Sequence, residues 1–199
     1  MPEAAGAVSL EEFWRGLEAR GVEPDMIEAL RARATGTTPP INRIGDEALV
    51  VAVAERLLPG AVPPGVLAAF LDARFDTQLG RGDERVGVLP RDRLIPAGFA
   101  ALEGEARRRH DAGFVDVDGA DQDRLLQDAE EGSIRAGEGV DLAEWFRRVR
   151  DVLVLGYGAD PRGMVEMGFP GPSYATGHVW LGEHEVAKRA DRAPGYETL

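Results

Sequence analysis

Between residues 141 and 155 the apolar side chains Leu142, Trp145, Phe146, Val149, Val152 and Leu153 recur at intervals of three and four. That is the period of a helix buried along one face. The stripe runs directly into Gly156-Tyr157-Gly158-Ala159-Asp160-Pro161, followed at a short distance by Gly168-Phe169-Pro170-Gly171-Pro172-Ser173-Tyr174. Proline lacks an amide donor and glycine lacks local restraint, so this stretch predicts the end of the helix and a shaped loop. Residues preceding proline are pushed to extended backbone, which applies here to Asp160, Phe169 and Gly171. Phe169 and Tyr174 should stand out from such a stiffened loop and make contacts.

The rest of the chain is punctuated in the same way. Ser9-Leu10-Glu11-Glu12 is a capping-box pattern opening a helix through Phe13, Trp14 and Leu17 to Gly21. Pro24 opens a second helix with Met26, Ile27 and Leu30, and 36–40 breaks it as a linker. Asp46 caps a helix through Leu49, Val50, Val53 and Leu57; another follows from Val66 through Phe75 to Leu79. A loop over 80–90 precedes a helix at 94–109, with Pro96 expected in its first turn and three arginines at its end. Asp118 caps a shorter helix through Leu125, Leu126 and Ala129, stopped by Gly132. Strand-like alternation is confined to 114–117, so the expected class is all-α. The reading is one irregular domain of six to seven helices with a C-terminal loop and an extended tail. Its parts are an N-terminal helical arm at 1–40, the main body at 41–175 and the tail at 176–199.

Composition removes several functions. A net charge of −12 disfavours nucleic acid and anionic membrane surfaces as partners. Without cysteine there is no disulfide, thiol nucleophile or cysteine metal site. Of the 23 basic residues all but Lys188 are arginines, which disfavours Schiff-base chemistry in the core. The longest apolar run, Ala48 to Ala54, is far too short to span a membrane. Met1 to Gly6 shows neither a secretory nor a twin-arginine signal. A leaderless cytoplasmic chain is therefore expected, or a periplasmic or extracellular one if a leader has been removed.

Chemistry-bearing patterns are sparse. Gly80-Arg81-Gly82 and Gly156-Tyr157-Gly158 lack the third glycine and the βα setting of a dinucleotide site. Ser133 and Ser173 do not sit in a nucleophile elbow. His178 and His184, six residues apart, fit no metal-ligand spacing, and His110 beside three arginines reads as a helix end. The acidic run at 111–131 reads as a solvated face or a contact for a basic partner. The arginines at 107–109 and 147–150 read as solvated helix ends and surface pairs, or as a contact for an acidic partner. No catalytic, cofactor-binding or metal-binding residue is assigned.

Five segments together point to a family. They are Ala54-Glu55-Arg56-Leu57-Leu58-Pro59-Gly60, the run from Gly98-Phe99 to Arg109, Gln122-Asp123-Arg124-Leu125-Leu126, Gly156-Tyr157-Gly158-Ala159-Asp160-Pro161, and Gly168-Phe169-Pro170-Gly171-Pro172. In order and spacing the chain resembles the gluconate 2-dehydrogenase subunit 3 family over about residues 45–175. The last two segments are the specific part. Two departures stand out: only Arg162 to Met167 separate Pro161 from Gly168, where the family usually has a longer insert, and no twin-arginine leader precedes the body.

The resemblance implies a small subunit without a cofactor of its own, bound to a large FAD-dependent subunit of glucose-methanol-choline type that oxidises a sugar, glycoside or polyol. It implies a partner interface built on Tyr157, Asp160, Pro161, Phe169, Pro170, Pro172, Tyr174 and Trp180. Two other readings stand beside it, a free-standing helical enzyme and a transient escort for flavoprotein maturation.

Overall fold

The structure is a computed structural model and describes residues 9–35, 38–75 and 87–169. The described residues form eight helices and no strand: α1 (Leu10–Ala19), α2 (Pro24–Thr35), α3 (Glu47–Leu57), α4 (Pro64–Arg74), α5 (Arg91–His110), α6 (Gly119–Glu130), α7 (Leu142–Ala159) and α8 (Pro161–Glu166). The all-α class follows, with one helix more than the sequence reading allowed. Residues 114–117, the nearest approach to a strand pattern, make a turn closed by Asp116 N–H donating to the Gly113 carbonyl at 2.9 Å. Leu79, residues 80–86 of the loop expected at 80–90, residues 170–175 and the tail expected at 176–199 lie outside the described residues.

The chain divides into two compact units. One runs from Thr37 to Ala159; the other joins the N-terminal residues up to Gly36 with Asp160 onward. The expected N-terminal arm thus shares its unit with a segment from far down the chain.

In the larger unit α7 is the central element, packing against α4, α5 and α6. Its Trp145 has no exposed surface, stands edge-on to Phe99 with ring centroids 5.1 Å apart, and donates its indole N–H to the Ile95 carbonyl at 3.1 Å. Satisfying that polar handle is what allows so large a ring to sit wholly inside. Space for it comes from Gly98 of α5: a Cβ there would lie 2.1 Å from Trp145 Cδ1. Pro96 sits well inside α5 rather than in its first turn, because the helix begins earlier than expected, at Arg91.

Two polar ties fix the loops of this unit. Asp72 of α4, almost fully buried, accepts the amides of Arg43 (2.8 Å) and Ile44 (3.1 Å), with that of Asn42 at 3.5 Å. This pins the turn that leads into α3 and seats Ile41 and Ile44 in the core. Phe114, also fully buried, has its amide accepted by Glu103 of α5 and its carbonyl bonded by the Gln122 side chain of α6, both at 2.9 Å. Buried backbone groups in a loop require such partners.

The smaller unit packs Phe13 and Leu17 of α1, Val22, Ile27 and Leu30 of α2 and its approach, and Met164 of α8 into one core. Ser9 and Glu12 form the expected capping box. At the other end of α1, Gly21 adopts φ +72°, and Val22 N–H donates back to the Leu17 carbonyl at 3.1 Å. That left-handed closure buries Val22 against Leu17, the apolar contact that commonly accompanies it.

Candidate interaction site

The stretch expected to be a contact loop splits into three kinds of residue. Gly156 and Tyr157 belong to α7, which runs through Ala159 instead of ending at Leu155. Glycine propensity is overridden here by packing: a Cβ on Gly156 would meet the Phe70 ring at 2.8 Å, so the glycine allows α4 and α7 to approach closely. Tyr157 is buried, and its hydroxyl accepts the Ala61 amide at 3.3 Å. Its role is to hold the turn between α3 and α4, which corrects its assignment to a partner surface.

Asp160 and Pro161 are buried as well. Asp160 is extended, as a residue before proline should be, and caps α8 by accepting Arg162 N–H at 2.9 Å. The Arg162 guanidinium grips the same carboxylate twice, at 2.8 and 2.7 Å, and that pairing holds the guanidinium above its ordinary range. Pro161 takes the first helical position, where its missing donor costs nothing. These two residues therefore start a helix rather than line a surface, a second correction.

Phe169 does face solvent. Gly168 adopts φ +68°, with its N–H donating to the Val165 carbonyl at 3.0 Å, and Phe169 N–H reaches the Met164 carbonyl at 2.8 Å. This paired closure fixes the backbone that carries the ring. Phe169 remains 42% exposed and Met167 57% exposed. Pro170, Pro172, Tyr174 and Trp180 lie outside the described residues.

Sequence reasoning passed over Met167 and also Val154 and Leu155, which are half-exposed on the outer face of α7. A signal was present. The stripe through Leu142, Trp145, Val149, Val152 and Gly156 leaves Val154 and Leu155 off the buried face, and two adjacent aliphatic residues there have no packing reason in their own helix.

Charged groups on α5 and α7 pair within and between helices. Glu144 is buried on α7 and accepts from Arg147 (2.7 Å) and Arg148 (2.6 Å). Desolvation works to raise its pKa, but the two arginines prevail and hold it below the usual carboxylate range. On α5, Glu105 accepts from Arg108 at 2.7 Å and from Arg109 at 2.6 Å. Arg109 extends the pairing to Asp128 of α6. His110 at the end of the helix places Nδ1 3.3 Å from Asp121. Among the described residues no three histidine, aspartate or glutamate side chains gather where they could hold a metal ion.

Over residues 45–171 the chain matches the family model described as gluconate 2-dehydrogenase subunit 3. The chain belongs to that family. Comparison with curated proteins and with solved structures gave no match. The region matched to the subunit 3 family takes in α3 to α8 and the exposed Phe169, and leaves α1 and α2 outside it.

Within this subunit 3 region Glu105 also sets an acid limit. The Arg108 hydrogen bond, opposed by burial and reinforced by Arg109, lowers its pKa from 4.5 to about 2. A carboxylate whose pKa is depressed by folding contributes stability that is complete above the unfolded value and is lost as pH falls through the folded one. The window is thus from about 4.5 down to about 2. With Arg108 largely in water, the contribution is about 1–2 kcal/mol. Urea midpoints measured from pH 7 to pH 2 should show Glu105→Gln losing stability at neutral pH and converging on the parent protein at the acid end; parallel curves would remove Glu105 from the account.

Proposed function

We propose that the chain is the non-catalytic small subunit of a dehydrogenase complex. It binds and stabilises a large FAD-dependent subunit of glucose-methanol-choline type that acts on a sugar, glycoside or polyol. The observation that carries this reading is the family match over 45–171, since the family is described by its place as a third subunit. The sequence supports it from the other side, because no dinucleotide fingerprint or nucleophile elbow occurs in it. In the complex the flavin belongs to the large subunit, and this chain supplies apolar contacts through Phe169 and its neighbours.

The experiment is co-expression with a large FAD-dependent dehydrogenase subunit from the same genome, followed by purification on a tag carried by one partner. A stoichiometric complex is expected, together with a higher melting temperature for this chain at saturating partner, because a ligand of the folded state alone stabilises it by mass action. Separate elution with an unchanged melt would overturn the proposal. Association only with newly made flavoprotein, and absence from the working enzyme, would favour an escort.

Phe169→Ala then locates the contact. Aromatic anchors commonly cost about 2 kcal/mol on truncation, so affinity should fall about thirtyfold while the melting temperature of the free chain stays put. A several-degree loss in the free chain, with affinity falling only in proportion, would make Phe169 a packing residue.

A further inference from the structure

The helix α8 has only six residues. Isolated helices shorter than about 12–15 residues are marginal in water, so its order comes from what it packs on. Among the described residues it packs chiefly on α1 and α2. Met164 lies buried with Phe13, Leu17, Val22, Ile27 and Leu30, and Val165 packs against the same group.

The exposed end of the segment is tied to those buried residues through the backbone. Met167 N–H donates to the Gly163 carbonyl at 2.9 Å, Gly168 N–H to that of Val165 at 3.0 Å, and Phe169 N–H to that of Met164 at 2.8 Å. Met164 therefore works at both ends: its side chain sits in the core that α1 and α2 build, and its carbonyl holds the amide of Phe169. The Phe169 ring, 42% exposed, hangs from a backbone that this core anchors. The two sides of the arrangement differ in origin. α8 and Phe169 lie inside the region matched to the family, whereas α1 and α2 both precede residue 45 and lie outside it.

We infer that the helix pair α1–α2 is the scaffold that orders α8, and that through Met164 it positions Phe169 for the large subunit. The working unit of the protein is then larger than its family region and includes residues 9–35. Leu17, Ile27 and Leu30 are positioning residues: they are buried and act on the contact through the order of α8. The positioning step rests on the small-subunit reading above; the ordering of α8 does not.

Hydrogen exchange on the full chain tests the ordering without any partner. Ile27→Val removes one methylene from the core, a change mild enough to leave the chain folded. It should accelerate the amides of Val22 and Leu30 about threefold, and those of Met167, Gly168 and Phe169 by the same factor, because segments that open as one unit share one opening free energy. Amides of Trp145 to Leu153 should not respond. Acceleration confined to α1 and α2 overturns the ordering. Titration with the separately purified flavoprotein subunit tests the positioning. Leu17→Asn places an amide side chain where no surface is exposed and leaves the net charge as it was, so α8 loses its scaffold. Affinity should fall about thirtyfold, as for Phe169→Ala, and the double variant should bind no worse than either single one, since both remove the same contact. Full affinity in Leu17→Asn, or losses that add in the double variant, overturns the positioning. If the parent chain itself does not bind the flavoprotein, the small-subunit reading fails, and the exchange of Met167 to Phe169 still decides whether α1–α2 orders α8.

Discussion

Gly98→Ala is expected to lower the stability of the α3–α7 unit by at least about 3 kcal/mol, one of the larger losses a single methyl group can cause. The added carbon would lie 2.1 Å from Trp145 Cδ1, 2.3 Å from Cγ and 2.6 Å from Nε1. None of these atoms can yield cheaply. The indole has no solvent-facing side, is braced by Phe99, and is tethered through its N–H to the Ile95 carbonyl one turn away on the same helix as Gly98. To make room, either the tether breaks inside the core or α5 and α7 move apart. In a unit of this size the loss corresponds to roughly 10 °C in melting temperature, which circular dichroism will read. A drop of one or two degrees would mean that the contact between α5 and α7 is looser than the distances state.

Asp72→Ala should cost about 3 kcal/mol by a different route. Two backbone amides, those of Arg43 and Ile44, donate to the same carboxylate oxygen, and Ile44 is fully buried. Truncation leaves both donors without this acceptor, that of Ile44 in a place water does not reach, and an unmet buried donor is more costly than the net gain from making the bond. Asp72→Asn retains one carbonyl oxygen in the position of Oδ1 and should recover about half the loss. Urea unfolding of the three proteins separates the terms. If asparagine is as damaging as alanine, the charge on Asp72 and not its acceptor geometry holds the turn; if alanine is neutral, the turn has another anchor.

Neither effect could be read from the sequence. Leu71-Asp72-Ala73-Arg74 looks like the solvent edge of a helix, because the amides that Asp72 accepts come from 28 and 29 positions upstream. Gly98 and Gly156 sit in helices where propensity alone reads them as weak points; their value appears only when the facing ring is known, Trp145 for one and Phe70 for the other. The same blindness ended α7 too soon and turned Tyr157, Asp160 and Pro161 into surface residues. Local signals fared better. Ser9 with Glu12, Asp46 and Asp118 all cap the helices they were expected to start, and Gly21 and Gly132 close the helices they were expected to stop. Caps and stripes act over four residues and are written in adjacent letters; close approaches and buried carboxylates depend on partners whose distance along the chain no pattern encodes.

The placement of the tryptophans makes the protein its own optical probe. Trp145 is sealed in the α3–α7 unit, and Trp14, partly exposed, lies beside the core of the other. A Trp180→Phe background leaves one indole for each unit, a blue-emitting one that collisional quenchers cannot reach and a red-shifted one that they can. Unfolding of the smaller unit and loss of the main core would then register at separate wavelengths, in real time and without a label.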